Sequence, residues 1–203
     1  MVLALGVLSS DVPTRAQSSQ ARTHMGHVMD GFSGTPGGQG LLPVAMKEAG
    51  IAAQHAELAA KTPDNLDAMK LHAGHVLHAI DPSLVERGPG LGYGLKKAAA
   101  GVSAHIGLAA KADDASDNVK LHATHVATSA DNVVKRCDEI VAAVEQIRAA
   151  STAADAARLV ARLQTLVGQL IPGVDADGDG RIGWQAGEGG LQHAQQHMEL
   201  MLK

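Results

Sequence analysis

The chain of 203 residues carries a formal net charge of -4, from 17 Lys and Arg against 21 Asp and Glu, and 45% of its residues are hydrophobic. That length suits one domain with at most a small appendage, and the acidic balance excludes the basic surface that a nucleic-acid partner requires. With one Phe, one Tyr and one Trp against 23 Gly, aromatic rings cannot fill the core. Either helices with small contact residues approach closely, or something other than protein lies between them.

At the N-terminus, Val2 to Leu8 is a short apolar run followed by Ser9, Ser10, Asp11, Pro13 and a polar stretch from Arg15 to Gln20. It resembles the end of a secretory signal, which makes residues 1–17 a signal remnant or an N-terminal arm and points to a periplasmic or secreted protein. The basic segment that normally precedes such a run is missing, so a cytoplasmic protein with an apolar arm stays open. No run reaches the roughly 18 apolar residues of a membrane span. The single Cys137 excludes an internal disulfide and a CxxCH haem attachment, and with no motif around it reads as a small buried hydrophobe.

The first helical candidate covers 14–32 and carries His24 and His27 at i,i+3. Phe32-Ser-Gly-Thr-Pro-Gly-Gly-Gln-Gly then breaks the helix, and without a GK[ST] or a preceding strand its glycines read as a surface loop. A second helix is expected from about Pro43 to Lys61, and a third from Pro63 or Asn65 to Ile80, stopped by Asp81-Pro82. A fourth follows from Leu95 to Ala112, and a fifth from near Ala115 to Arg148. Thr152 with Asp155 is a capping signal for an amphipathic run to Leu170, which Pro172 ends. These elements predict an all-α fold, a helical bundle of four to five main helices over 18–172, with a C-terminal unit over 173–203.

Residues 53–81 return without a gap at 103–131, a period of 50 residues that aligns His55 with His105, His72 with His122 and His75 with His125. A fixed period argues for one supersecondary unit used twice. Each copy reads as a helical hairpin broken at Thr62-Pro63-Asp64 or Asp113-Asp114. In each, the first histidine lies about as far before the turn as the second lies after it, so the two reach the same height. The third follows at i+3, within about 60° around the helix. Two triples are therefore expected, His55/His72/His75 and His105/His122/His125. His78 has Thr128 as its counterpart and reads as structural.

Asp175-Ala-Asp177-Gly-Asp179-Gly180-Arg181-Ile182 resembles the EF-hand loop, with acidic residues at positions 1, 3 and 5, Gly at 6 and an aliphatic residue at 8. That resemblance implies Ca2+ held by Asp175, Asp177, Asp179 and the carbonyl of Arg181. Position 12, where the family places a bidentate Glu, is Ala186, and Glu188 two residues later is the substitute that a longer loop would use. A short helix after it carries His193 and His197 at i,i+4, on one face.

Three neutral imidazoles from adjoining helices suit Zn, Cu or Ni. His24, His27, His193 and His197 are further ligands for either triple or a third site, and Met25, Met29, Met198 and Met201 nearby would favour copper if their sulfurs took part. The leading expectation is an exported transition-metal-binding protein, zinc or copper, with a separate calcium site, acting in storage, transport or sensing. The alternative is a carrier of non-covalent haem b with axial ligands among His55, His72, His75, His105, His122 and His125. Small residues beside these histidines leave room for a macrocycle, but a short hairpin holds its helices close for one. With no HExxH and no Glu three residues before any histidine, no general base is placed for hydrolysis. The sequence identifies metal ions as partners and names no protein partner.

Overall fold

The computed structural model describes residues 19–203; the expectation for residues 1–17 lies outside them. Seven α-helices account for the described chain: α1 (Gln20–Met29), α2 (Leu41–Ala60), α3 (Leu66–Ile80), α4 (Leu95–Lys111), α5 (Asp117–Ala149), α6 (Ala153–Gly168) and α7 (Leu191–Met201). There is no β-strand among the described residues, only an isolated antiparallel bridge between Gly173 and Gly189. None of the helices is long and apolar enough to cross a membrane.

Side-chain caps start several helices where the sequence offers them. The oxygens of Ser19, Asn65, Ser116 and Thr152 accept hydrogen bonds from the third residue on, which satisfies amides the first turn leaves free. α1 has a second anchor at its N-terminus. Its Gln20 and Ala21 amides donate to the Asp114 carboxylate in the α4–α5 turn at 2.9 and 3.1 Å.

The core is built on heptad seams. In α5 the buried residues Val119, Ala123, Val126, Ala130, Val133, Cys137, Ile140, Val144 and Ile147 follow one another at alternating steps of four and three. α2 repeats the pattern with Ala45, Ala49, Ala52, Ala56 and Ala59. This 3.5-residue spacing keeps one stripe facing a neighbouring helix, as in coiled coils. Alanine along it lets backbones come close, which is how the core fills without aromatic rings. Gly40 shows how close: a Cβ there would stand 2.5 Å from the Met29 carbonyl.

α2 packs on α3 and α4 on α5, each pair joined by a five-residue turn, while α6 lies against α2, α3 and α5. α1 packs chiefly on α4, and α7 chiefly on α5. The short first and last helices are thus held by the second hairpin. A buried carboxylate organises the connection before α4: Glu48 Oε1 accepts from the amides of Leu91, Tyr93 and Gly94 at 3.1–3.3 Å. Gly94 there adopts φ +86°, a conformation closed to most side chains.

Candidate metal centres

Every histidine of interest stands one residue before a buried seam position. His24 and His27 precede Met25 and Val28, His55 precedes Ala56, His72 and His75 precede Ala73 and Val76, and His105 precedes Ile106. His122 and His125 precede Ala123 and Val126, and His197 precedes Met198. One residue is about 100° of helix, so each imidazole sits at the edge of a helix–helix contact, partly buried and free to reach across it.

Nine of them assemble into three triads, each of which could hold a metal ion. In the first, His105 Nδ1 on α4 lies 3.1 Å from His24 Nδ1 and 3.3 Å from His27 Nδ1 on α1. In the second, His55 Nδ1 on α2 lies 3.2 Å from both His72 Nδ1 and His75 Nδ1 on α3. The third sets His197 Nδ1 on α7 at 2.9 Å from His122 Nδ1 and 3.3 Å from His125 Nδ1 on α5. The plan is constant: one helix supplies an i,i+3 pair and its neighbour supplies a hub.

The first copy of the repeat therefore closes its own triad, and the second does not. His105 turns to α1, and His122 and His125 turn to α7, so the expected grouping of His105 with His122 and His125 is corrected. The two turns have equal length but different exits: Lys61 after α2 stays helical (ψ -9°), whereas Ala112 after α4 is extended (ψ 143°). Each half of the divided triple then finds ligands on the terminal helix that packs chiefly on it, His105 of α4 on α1 and His122 and His125 of α5 on α7.

His193 joins no triad; its Nδ1 is buried without a hydrogen-bond partner, one turn before His197. His78 is tied locally, its Nδ1 2.9 Å from the Pro89 carbonyl. The methionines belong to the core: Met25, Met198 and Met201 are buried in it and Met29, partly buried, packs against it, so the structure offers these sulfurs as filler and not as ligands.

Hub imidazoles resist protonation. Burial first, and then the neighbouring imidazoles, lowers the pKa of His55 and His105 below the ordinary 6.5 and pushes that of His197 down to about 4. His75 and His125 are lowered for the same reasons. A hub kept neutral is a ligand kept ready for a cation.

Two aromatic residues that sequence reasoning did not connect to the histidines sit against them. Phe32, in the α1–α2 loop, packs its ring 5.4 Å from His27 and 5.1 Å from His105, edge to face. Trp184 stacks on His125 with ring centroids 4.0 Å apart. Nothing in their local sequence signals these contacts.

In the acidic loop, Asp175, Asp177 and Asp179 gather their carboxylates within 4.8 Å. Asp175 also accepts from the amides of Gly178 and Gly180, and Asp179 from that of Arg181. Ala186 is exposed, and Glu188 does not join the aspartates; it is buried, with Oε2 accepting from the Gly183 amide at 2.7 Å. The loop exit is bound to α5 through Arg136, which donates to the carbonyls of Gly187, Glu188 and Gly189 at 2.6, 2.7 and 3.1 Å. Asn132 adds bonds to the Gln185 and Gly189 carbonyls and accepts from the Gly187 amide. These two residues fix where α7 begins, and hence where His197 stands.

Comparison with protein-family models, with curated proteins and with solved structures finds no match for this chain.

Proposed function

We propose that this protein binds transition-metal ions at its three histidine triads, as a store, carrier or sensor of zinc or copper. The observation that carries the reading is the three-way convergence of Nδ1 atoms. A neutral imidazole nitrogen has one proton or one lone pair in the ring plane, so a hub nitrogen 2.9–3.3 Å from two others cannot hydrogen-bond well to both. A metal ion uses all three lone pairs. Two nitrogens each about 2.0–2.1 Å from a tetrahedral ion lie about 3.3–3.4 Å apart, close to the spacing found. With three protein ligands, the fourth position is left to water or a partner's ligand, a set suited to ions that must be loaded and handed on.

Haem is the weaker reading, because axial histidines need a macrocycle between them. Here the nitrogens of each triad meet directly. A surface cleft of about 470 Å³ is lined by residues such as Ile80, Tyr93, Lys96 and Val134, and no histidine lines it.

The further elements of the proposal rest on sequence. The 50-residue repeat supports a duplicated hairpin, the Asp175–Asp179 pattern supports an EF-hand-type calcium site, and the apolar run at Val2–Leu8 supports export. The calcium site lacks a position-12 glutamate, and with Glu188 engaged elsewhere it would complete its shell with water.

The test is zinc or copper titration of the full chain, with elemental analysis and an absorption spectrum after gel filtration. Three transition-metal equivalents are expected, one lost in each of His55→Ala, His105→Ala and His197→Ala. Combined Asp177→Ala and Asp179→Ala should remove calcium alone. A Soret band on protein from a haem-replete host, or metal content indifferent to the three hub substitutions, would overturn the reading.

A further inference from the structure

The three triads share ligand geometry but differ in what they join. The second closes inside one hairpin, with His55 17 and 20 residues from His72 and His75. The first spans 81 and 78 residues, and the third 75 and 72. These two also fasten the shortest helices: α1 has 10 residues and α7 has 11, too few to persist alone in water. Each has an aromatic neighbour, Phe32 for the first and Trp184 for the third. The second has none among the described residues; its ring contacts are among its own histidines.

From this asymmetry we propose a division of labour: the His55/His72/His75 triad is the exchange site, and the other two triads are clamps whose metal holds α1 and α7 on the α4–α5 hairpin. The proposal rests on the metal-binding reading above and assigns different work to each of its sites. Release from a clamp requires a terminal helix to lift, or an aromatic ring to move aside, before an incoming ligand reaches the ion. Release from the second triad requires only rotamer changes across a hairpin that stays packed through Ala56, Met69, Ala73 and Val76.

Linkage separates the sites in the same direction. Closing a loop of about 80 residues is about tenfold less probable than closing one of about 17, from the three-halves power of length. An unfolded chain therefore retains more affinity at the second triad than at the clamps, and binding to the unfolded state reduces the stabilisation a ligand provides. Metal at the clamps should raise the melting temperature; metal at the second triad should raise it little.

The experiment loads the full chain with three equivalents of Zn2+ and follows transfer to excess chromophoric chelator, with thermal melts of apo and loaded protein. The expected result is one equivalent leaving in a separate, faster phase than the other two, because only the clamps need a terminal helix to lift or an aromatic ring to move before the chelator reaches the ion. His55→Ala should abolish that fast equivalent and leave the loaded melting temperature near that of the wild type. His105→Ala and His197→Ala should each remove one slow equivalent and lower the loaded melting temperature, with a smaller change in the apo melt. Wild-type release kinetics need no substitution to fold, so they decide even if a hub variant is unstable. Three equivalents leaving at one rate, or His55→Ala removing a slow one, would overturn the division of labour and leave metal binding standing. Failure to bind zinc or copper at all would overturn both.

Discussion

Replacing Arg136 with Leu tests how the third triad is placed without touching a ligand. Arg136 is 5% exposed; burial lowers its pKa while the Glu139 carboxylate raises it, and the three carbonyls it meets replace the water its guanidinium has given up. Their losses on substitution are unequal. The Glu188 carbonyl keeps its bond from the Val174 amide, and the Gly189 carbonyl keeps that from Asn132. The Gly187 carbonyl keeps no other protein donor in the observed network, although its site is partly open to water. One orphaned carbonyl costs about 1–3 kcal/mol, and the lost bonds from a charged donor add to this. Relief of the buried cation's desolvation offsets part of the sum. A net loss of about 2–3 kcal/mol is expected, read as a lower urea midpoint in the apo protein. Because the loss falls at the entry to α7, the variant should also lose one transition-metal equivalent. Trp184, the single tryptophan, stacks on His125, so quenching of its fluorescence by Cu2+ should weaken in parallel. Arg136→Lys should recover part of both. A change below about 0.5 kcal/mol, or metal lost equally from all three triads, would refute the claim that Arg136 positions His197.

Three other outcomes follow from buried groups. The apo protein should lose stability as pH falls below 6.5: the unfolded histidines take up protons there, while His55, His105 and His197 in the folded state do not until lower pH, about 4 for His197. Urea midpoints at pH 7.5, 6.5 and 5.5 should decline in that order, and a flat profile would contradict the burial of the hubs. Glu48→Ala removes the acceptor of three amides and should cost about 3 kcal/mol in urea unfolding, with strong protease cutting near residues 85–94; uncut protein of unchanged stability would refute the role given to Glu48. Cys137 is fully buried with its thiol pKa pushed up to about 12, so a thiol reagent at pH 8 should label it only under denaturing conditions.

Much of this architecture could be read from the residue pattern, and the reasons it could are local. The start of α6 followed from Thr152, whose oxygen caps as expected, and α3 begins after Asn65, one of the two starts the pattern offered; the Ser116 cap of α5 was not read from the sequence, which placed that start near Ala115. Each of the seven helices has a counterpart in the expected elements; the count of four to five main helices leaves out the two short ones, α1 and α7, which owe their place to the α4–α5 hairpin. The His55/His72/His75 grouping was legible because a five-residue turn carries the register from one helix to the next. The same reasoning failed for His105 because it assumed that equal turn length means equal facing. A hub looks toward whichever helix packs on its edge of the seam, and α4 has both α1 and α5 beside it.

The seam itself was the stronger signal, and it explains where the inference had to stop. A histidine one residue before a heptad core position is placed at the rim of a helix contact by backbone periodicity alone. All nine triad members obey this, but so does His193, before Ala194, and His78 likewise precedes a buried residue, Ala79, beside the seam. The rule therefore marks which histidines can reach across a contact and leaves undecided what stands on the other side. His78 meets the Pro89 carbonyl there, and His197 meets His122 and His125 across 75 and 72 residues of chain. Partner choice is a property of packing between distant helices, set by residues such as Arg136, Asn132 and Asp114 that hold no metal in this reading. Substitution at those residues should redistribute the triads while leaving every histidine in the chain.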